Sequence, residues 1–575
     1  MTAARRGAAL LLLALTLMAW SGVRASAQVS PPIGQTQVFI VDHASFEDLM
    51  AMPTVAQLAI EGGAALMPLD PDLRLVAALG YRVPGNAGVL RIPVPASGSS
   101  RSDAFAAANA RIEEGIRSVG IARIAVFVFS TTSSAEMATH KDDLHPVVFA
   151  IGSDLLPSEN LVPPRRSPKA LTSDSTRRDG VVAEVDLATS FFRFGGFRVA
   201  GQHLGEPFRV VDTPPPLELH ERYLAMRRMT VPIQTAAGIY VTVGGLFCLG
   251  VLALGRRAPT WLPPLAIGIA ASVGPLAAAL LAAGHLPSLS YATVVPFVVL
   301  VTIVVGGLVM LGSGRGALHP FMPLGYVILA FLLVEAILGW TAALTPFLGG
   351  SELDGGRFYG LPNVFIGLLL GASLYVAQRL DARVGFALLF AAGLFAGLPF
   401  AGANLGGSIT LFAAAGLWWP LRSRGRLGPR ELAIAVGVVI LGTAVVLVAN
   451  RISSLPTHIT NFEEHAGGLA GIWRTLVDRL GVGVRLIAHN PFALVPVAGV
   501  LVTLAVVLRP PGPFAESLRA HPAWRDALLV MLLASVVAYV VNDSGPAACG
   551  LGFGMALGGL LAVSLIDRAA KMDVA

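Results

Sequence analysis

Charge is scarce in this chain. Only 13% of its 575 residues are Asp, Glu, Lys or Arg, against 54% hydrophobic residues. A soluble globular protein carries about a quarter charged residues, so the deficit points to surface that faces lipid rather than water. Cysteine is nearly absent as well. The two present, Cys248 and Cys549, fall inside apolar stretches, which excludes a disulfide framework from the N-terminal third and argues against a thiolate metal site or nucleophile there. Lysine is scarce too, with three in the chain, so the basic residues are almost all arginine. The formal charge of +6 does not imply nucleic acid as a partner. No compact Lys/Arg stripe interleaved with aromatics is present, and the arginines sit mainly beside apolar runs, where they set topology.

What is present begins with an export signal. Arg5 and Arg6 precede the apolar run from Ala8 to Trp20, and Ala25-Ser26-Ala27 supplies a small-residue cleavage site. Basic, then apolar, then small is the order of a secretory signal peptide, expected over 1–27, either cleaved so that the mature chain begins near Gln28 or kept as an uncleaved anchor; in both cases residue 29 onward is exported. Residues 28–230 then read as an ordinary soluble domain, and 231–575 as a polytopic helical domain. Eleven spans are expected, at 232–254, 262–284, 288–312, 322–345, 360–378, 384–399, 406–421, 432–450, 491–508, 526–541 and 547–566. With 28–230 exported, an odd count places the C-terminus in the cytoplasm. The charges agree: loops on the expected inner side hold fourteen Arg/Lys residues against eight outside, the latter including Arg222, Arg227 and Arg228 just before the first span. The expected location is the plasma membrane of a bacterial cell, with membrane lipid as the immediate partner.

In the exported part, Gln37–Asp42 reads as a buried strand ending in a carboxylate, and Phe46–Gly62 as a helix broken near Pro53. A helix over 103–118 leads into an apolar strand over 121–129. A further strand follows over 147–151, and 181–192 is a strand or a helix start. Alternation of this kind implies an α/β sandwich. An acid at the C-terminal end of a first strand is where such sheets place ligands, although an Asp there also serves as a helix cap.

The run from Val41 to Ala64, V-D-H-A-S-F-E-D-L-M-A-M-P-T-V-A-Q-L-A-I-E-G-G-A, resembles the opening of the alkaline phosphatase superfamily, and 172–196 is similar to its closing segment. The resemblance implies an alkaline-phosphatase-like fold over roughly 37–210 and a metal ligand at Asp42. It also implies a Ser or Thr nucleophile and an Asp-His pair that this chain does not supply. No Ser or Thr lies between Thr54 and Ser97, and Ser130-Thr131-Thr132-Ser133 stands where the pair belongs. His140, Asp142, Asp143 and His145 form a loose cluster that could hold one divalent cation or be a solvated loop. The expectation is a domain that keeps the fold without the two-metal chemistry, so no cofactor is required and a divalent metal at Asp42, His140 and His145 is the alternative.

In the helical part, Glu335 falls inside the expected fourth span, as a proton or substrate site or as a neutral, hydrogen-bonded acid. Polar residues gather in segments expected to face outward: Arg357 and Asn363; Asn404; His458, His465, Arg474 and Arg479; Asn542 and Asp543. They line an outer substrate cavity or are ordinary polar loops. R-F-Y-G-L-P-N at 357–363, followed by an Arg-rich outer loop, also resembles O-antigen ligases and polymerases, which implies a lipid-linked glycan substrate whose diphosphate arginines would grip. Four functions follow: a binding or scaffold module over a bundle handling envelope lipid or glycan, an active phospho-headgroup transferase or hydrolase, a glycan polymerase or ligase, and a transporter.

Overall fold

The computed structural model describes residues 35–68, 87–98, 100–119, 124–140, 144–152, 155, 168–195, 205–213, 217–313, 321–348, 353, 358–453, 494–542, 544 and 547–573, with scattered residues between 455 and 488. The expected signal peptide over 1–27, Asp142, Asp143, Arg357, His458, His465, Arg474 and Asp543 lie outside the described residues. Two compact units emerge. One comprises Arg24–Arg228 with Gly350–Tyr359, and the other is built mainly from Met229–Gly349 and Gly360–Ala575.

The first unit is α/β. Its elements run β1 (Gln35–Val41), α1 (Phe46–Ala51), α2 (Pro53–Glu61), β2 (Gly63–Pro68), β3 (Ala87–Ile92), α3 (Arg101–Arg117), β4 (Ile124–Phe129), α4 (Ala135–His140), β5 (Leu144–Gly152), β6 (Ala170–Thr172), α5 (Glu184–Gly195) and β7 (Arg209–Val211). The seven strands form one sheet in the order β3-β1-β4-β5-β2-β6-β7. β1 is parallel to β3 and β4, and β2 to β6, whereas β5 runs antiparallel to β4 and β2. The sheet is therefore mixed, although the apolar run of β4 reads like a parallel strand.

Local chemistry explains the elements. Ser45 caps α1 through a reciprocal capping box with Asp48, and Pro53 restarts the helix as α2, where its missing N–H costs nothing. Gly62 allows the end of α2 to reach the sheet, since a Cβ there would collide with the carbonyl of Phe149. The core is aromatic: the ring of Phe127 lies 4.6 Å from those of both Phe149 and Phe191, with Phe208 packed beside them.

The second unit is helical: α6 (Leu217–Leu254, whose first turns belong to the α/β unit), α7 (Leu262–Ala271), α8 (Val273–Ala282), α9 (Tyr291–Ser313), α10 (Phe321–Ile337), α11 (Asn363–Ala377), α12 (Ala382–Gly397), α13 (Leu405–Arg424), α14 (Pro429–Ile452), α15 (Leu494–Leu508), α16 (Gly512–Ala520), α17 (Pro522–Val541) and α18 (Ala547–Asp573). Large apolar side chains of α6, α9 and α14, among them Leu246, Ile303 and Ile440, stay exposed, as a lipid-facing surface requires.

Five helices among the described residues are long and apolar enough to cross a membrane: α6, α9, α14, α17 and α18. Two bent pairs, α7 with α8 at 43° and α15 with α16 at 73°, raise the number to seven if each is one span. This describes a multi-pass membrane protein, and it corrects the expectation of eleven spans. α10, α11 and α12 are apolar but only 17, 15 and 16 residues long. At 1.5 Å per residue they reach about 23–26 Å, short of a hydrocarbon core of about 30 Å. Every residue of α11 from Phe365 to Ala377 is buried, so its hydrophobicity belongs to a protein core, and an apolar run in sequence does not separate that case from a span.

Candidate functional site

The sheet register gathers the candidate residues of the α/β unit at one end. Ile40 lies opposite Phe129, Phe129 opposite Val147, and His145 opposite Met67. Asp42, the segment from Ser130 to Ser133, and His145 therefore share the edge where β1 and β4 end. A ligand binds at such an edge in an open α/β sheet.

The loop after β1 is tied to the loop after β4. His43 takes a left-handed backbone conformation at φ 56°. Its N–H donates to Thr132 Oγ1 and its ring Nδ1 meets the carbonyl of Ser133, both at 2.8 Å. Arg101 donates to the carbonyl of His43 at 2.6 Å and pairs with Asp48. Two of the four hydroxyls at 130–133, those of Ser130 and Thr132, thus hold the turn at 43–44.

Asp42 is held differently from a metal ligand. Its carboxylate is 13% exposed, and Arg91 of β3 donates one Nε–H to both oxygens at 3.0 and 2.9 Å. The bond and charge of Asp42 raise the Arg91 pKa above its usual value. A guanidinium already satisfies the acid that the resemblance assigns to a metal. The second expected ligand does not help: His145 sits on β5, two strands from β1, which is roughly 10 Å at ordinary strand spacing. His140 ends α4. Among the described residues, no three His, Cys, Asp or Glu side chains converge as a metal site would require. The described residues do not fit the metal pair that the resemblance implies.

A second carboxylate centre lies past β6, and sequence reasoning missed it. Asp186 is completely buried at the start of α5. It accepts hydrogen bonds from Ser173 Oγ at 2.5 Å, Ala183 N at 2.8 Å and Glu206 N at 2.9 Å. Burial raises its pKa despite these bonds. Half-buried Glu206 is also raised, first by desolvation and then by the charges of Asp174 and Asp186. With its acceptor sites used by the fold, Asp186 ties three chain segments together.

The 357–363 segment divides between the units. Phe358 and Tyr359 belong to the α/β unit, where Arg178 Nε donates to the Phe358 carbonyl at 2.6 Å and the Arg177 guanidinium lies 3.9 Å from the Tyr359 ring centre. Asn363 opens α11 in the helical unit. Its side-chain NH₂ donates to Ser544 Oγ, and its oxygen accepts from Asn404 Nδ2, both at 2.8 Å. Asn404 is completely buried. It caps α13 by accepting from Gly407 N and also donates to the Leu361 carbonyl, each at 2.8 Å. Asn542 is buried and donates to Ala538 O at 3.0 Å, while Arg479 donates to the carbonyl of Val541. The structure thus joins Asn363 and Asn404 in one network and places Asn542 and Arg479 together at the end of α17.

Glu335 lies in the last turn of α10, not at mid-span, because the helix ends at Ile337. One of its partners is His285, a residue no sequence signal singled out. Comparison with protein-family models, with curated proteins and with solved structures finds no match for this chain.

Proposed function

We propose that this chain is a bacterial cell-envelope membrane protein whose exported α/β unit is a non-catalytic, alkaline-phosphatase-like module. In this reading residues 1–27 are a signal peptide, 28–230 lie outside the plasma membrane and the C-terminus is cytoplasmic. The module binds and positions a lipid- or glycan-linked envelope substrate for the outer face of the helical unit, where Arg357, Asn363, Asn404, His458, His465, Arg474, Arg479, Asn542 and Asp543 are the candidate polar residues.

The observation that carries this reading is the Arg91–Asp42 pair. The position at which a phosphatase of that superfamily needs an open carboxylate holds an internal ion pair, and the hydroxyls at 130–133 include two that pin the preceding loop. Catalysis by two metals needs ligands that leave coordination sites open to substrate. An acid closing β1 of an α/β sheet fits the resemblance without supporting the chemistry.

The test is genetic. A strain lacking the chain is complemented with wild type or with Asp42→Ala, and its envelope lipids and glycans are profiled. The reading expects an altered profile in the deletion strain and equal rescue by both versions. Failure of a folded Asp42→Ala protein to rescue would instead support an active headgroup transferase or hydrolase.

A further inference from the structure

The connections at one end of the helical unit are basic. Arg422, near the end of α13, pairs with Asp526 of α17 at 3.1 Å, and Arg424 with Glu431 of α14 at 2.8 Å. His521, just before α17, meets Asp567 of α18 at 3.1 Å. A Cβ on Gly255, past the end of α6, would strike the Arg568 guanidinium. The ends of α6, α13 and α18 and the starts of α14 and α17 therefore lie together. Within these connections Arg257, Arg426, Arg430, Arg509, Arg519 and Arg525 are exposed.

α15 reaches the same end, because it runs beside α18 in the same direction. A Cβ on Gly550 would meet Pro496, and one on Gly499 would meet Phe553. α16 then turns 73° from α15 and packs on α17 and α18. A helix turned so far from a spanning direction is placed to lie along a bilayer surface. Its side chains are sorted accordingly: Ser517 and Leu518 are buried, whereas Glu516, Arg519 and Ala520 are exposed.

The balance of charge here is positive. Glu431, Asp526 and Asp567 are paired with Arg424, Arg422 and His521. Asp381 caps α12 by accepting from Arg383 N and Val384 N, and Glu516 is the further acid among the described residues of these connections. Large apolar side chains stand exposed beside the arginines. Trp261 is 64% exposed near Arg257, Leu432 48% near Arg430, and Leu508 69% next to Arg509. A water-soluble anionic partner would cover the charge and leave this apolar surface in water. A lipid covers both, its acyl chains on the apolar side chains and its phosphate on the guanidinium. Topology is set by the sign and number of such charges; recognition depends on their staying exposed in the folded unit.

We propose that this end of the helical unit is a docking surface for anionic phospholipids, with α16 lying in the headgroup layer. Arg509, Arg519 and Arg525, in and around α16, hold lipid phosphates through charge-assisted hydrogen bonds, which a guanidinium can make two at a time. Arg257, Arg426 and Arg430 extend the surface around the neighbouring helix ends. The inference is independent of the reading of the α/β unit.

Lipid retention by the full chain tests this. The protein is reconstituted in vesicles of equal parts phosphatidylglycerol and phosphatidylcholine, extracted in mild detergent, and its retained lipid is quantified by mass spectrometry. Wild type is expected to enrich phosphatidylglycerol roughly tenfold, since each basic residue near a surface adds to the attraction. The triple variant Arg509→Gln, Arg519→Gln, Arg525→Gln should fall to about twofold or less. The same loss of charge in the α/β unit, by Arg91→Gln, Arg111→Gln and Arg117→Gln, should leave the enrichment in place. Should the triple variant fail to fold, Arg509→Gln and Arg525→Gln made singly, at exposed positions, should each lower the enrichment about threefold. Equal retention of the two lipids by wild type, or enrichment unchanged by the α16 substitutions, overturns the proposal. Enrichment abolished by added inorganic phosphate at an ionic strength matched with sodium chloride would assign the arginines to a soluble phosphate and also overturn it.

Discussion

Arg91 Nε donates to both carboxylate oxygens of Asp42, at 3.0 and 2.9 Å, across adjacent parallel strands. The pair stands at the edge of the sheet where a ligand would be read, and it occupies the one acid that the family resemblance marks. A carboxylate shared with a guanidinium is a poor start for a metal site, because both cations compete for the same oxygens.

The pair itself adds little stability. Arg91 is 62% exposed, and exposed ion pairs contribute about 0–1 kcal/mol. Arg91→Ala should leave the fold and the melting temperature nearly unchanged, as followed by thermal unfolding monitored by intrinsic fluorescence. A loss of several kcal/mol would mean that the pair does more than neutralise an acid.

Asp186 is expected to behave in the opposite way. Replacing it with Ala leaves the Ser173 hydroxyl and the Ala183 and Glu206 amides without their shared acceptor inside the fold. Orphaned donors cost about 1–3 kcal/mol each, so Asp186→Ala should destabilise the α/β unit by several kcal/mol. Limited proteolysis of the 173–206 region reads this directly. An unchanged digestion pattern would contradict the role given to Asp186.

The acid groups predict two opposing pH effects. Hydrogen bonding to His220 lowers the Glu47 pKa to about 2. A lowered carboxylate contributes stability above its unfolded value, and that stability fades as pH falls toward about 2. Glu47 is mostly exposed, so the effect is small. Asp186 and Glu206 are raised by burial, so their contribution is present below the unfolded carboxylate range and is lost as pH rises through their folded values. Melting curves of Glu47→Gln should lose the acid-side slope, and Glu206→Gln should gain stability at neutral pH. The reverse signs would overturn the assignment.

Asn404 separates a structural role from substrate contact. Its side chain caps α13 and donates to Leu361 and Asn363. Asn404→Ala should cost about 1–3 kcal/mol, combining a lost cap with lost buried hydrogen bonds. Denaturant titration in detergent measures this. Unchanged stability with a changed envelope profile would instead mark Asn404 as a substrate ligand.

Much of this architecture is legible in the sequence where local chemistry is strong. The apolar run of β4, the acid after β1 and the break at Pro53 all leave signals within a few residues. β2 does not, because Gly63–Pro68 is built mostly of small residues, without β-branched side chains. Span lengths are obscured because α11 is apolar by burial in protein, and because Gly274-Pro275 beside the 43° bend at Ser272 is a mark that a proline also leaves inside unbroken helices, as Pro232 does in α6 and Pro296 in α9. The polar pairs are hidden for another reason. Arg91 and Asp42 are 49 residues apart, and His285 and Glu335 are 50; only the fold brings them together. The outer polar residues stand out by composition, which does not distinguish a side chain bonded into helix ends from one open to a substrate.

With Arg91 on its carboxylate, Asp42 offers no open ligand for a metal at this end of the sheet. Elemental analysis of the full-length protein, purified without chelator beside Asp42→Ala, tests it most directly. Less than stoichiometric zinc or manganese is expected, and the same amount in both proteins. One or two equivalents of metal in wild type, lost in Asp42→Ala, would contradict it.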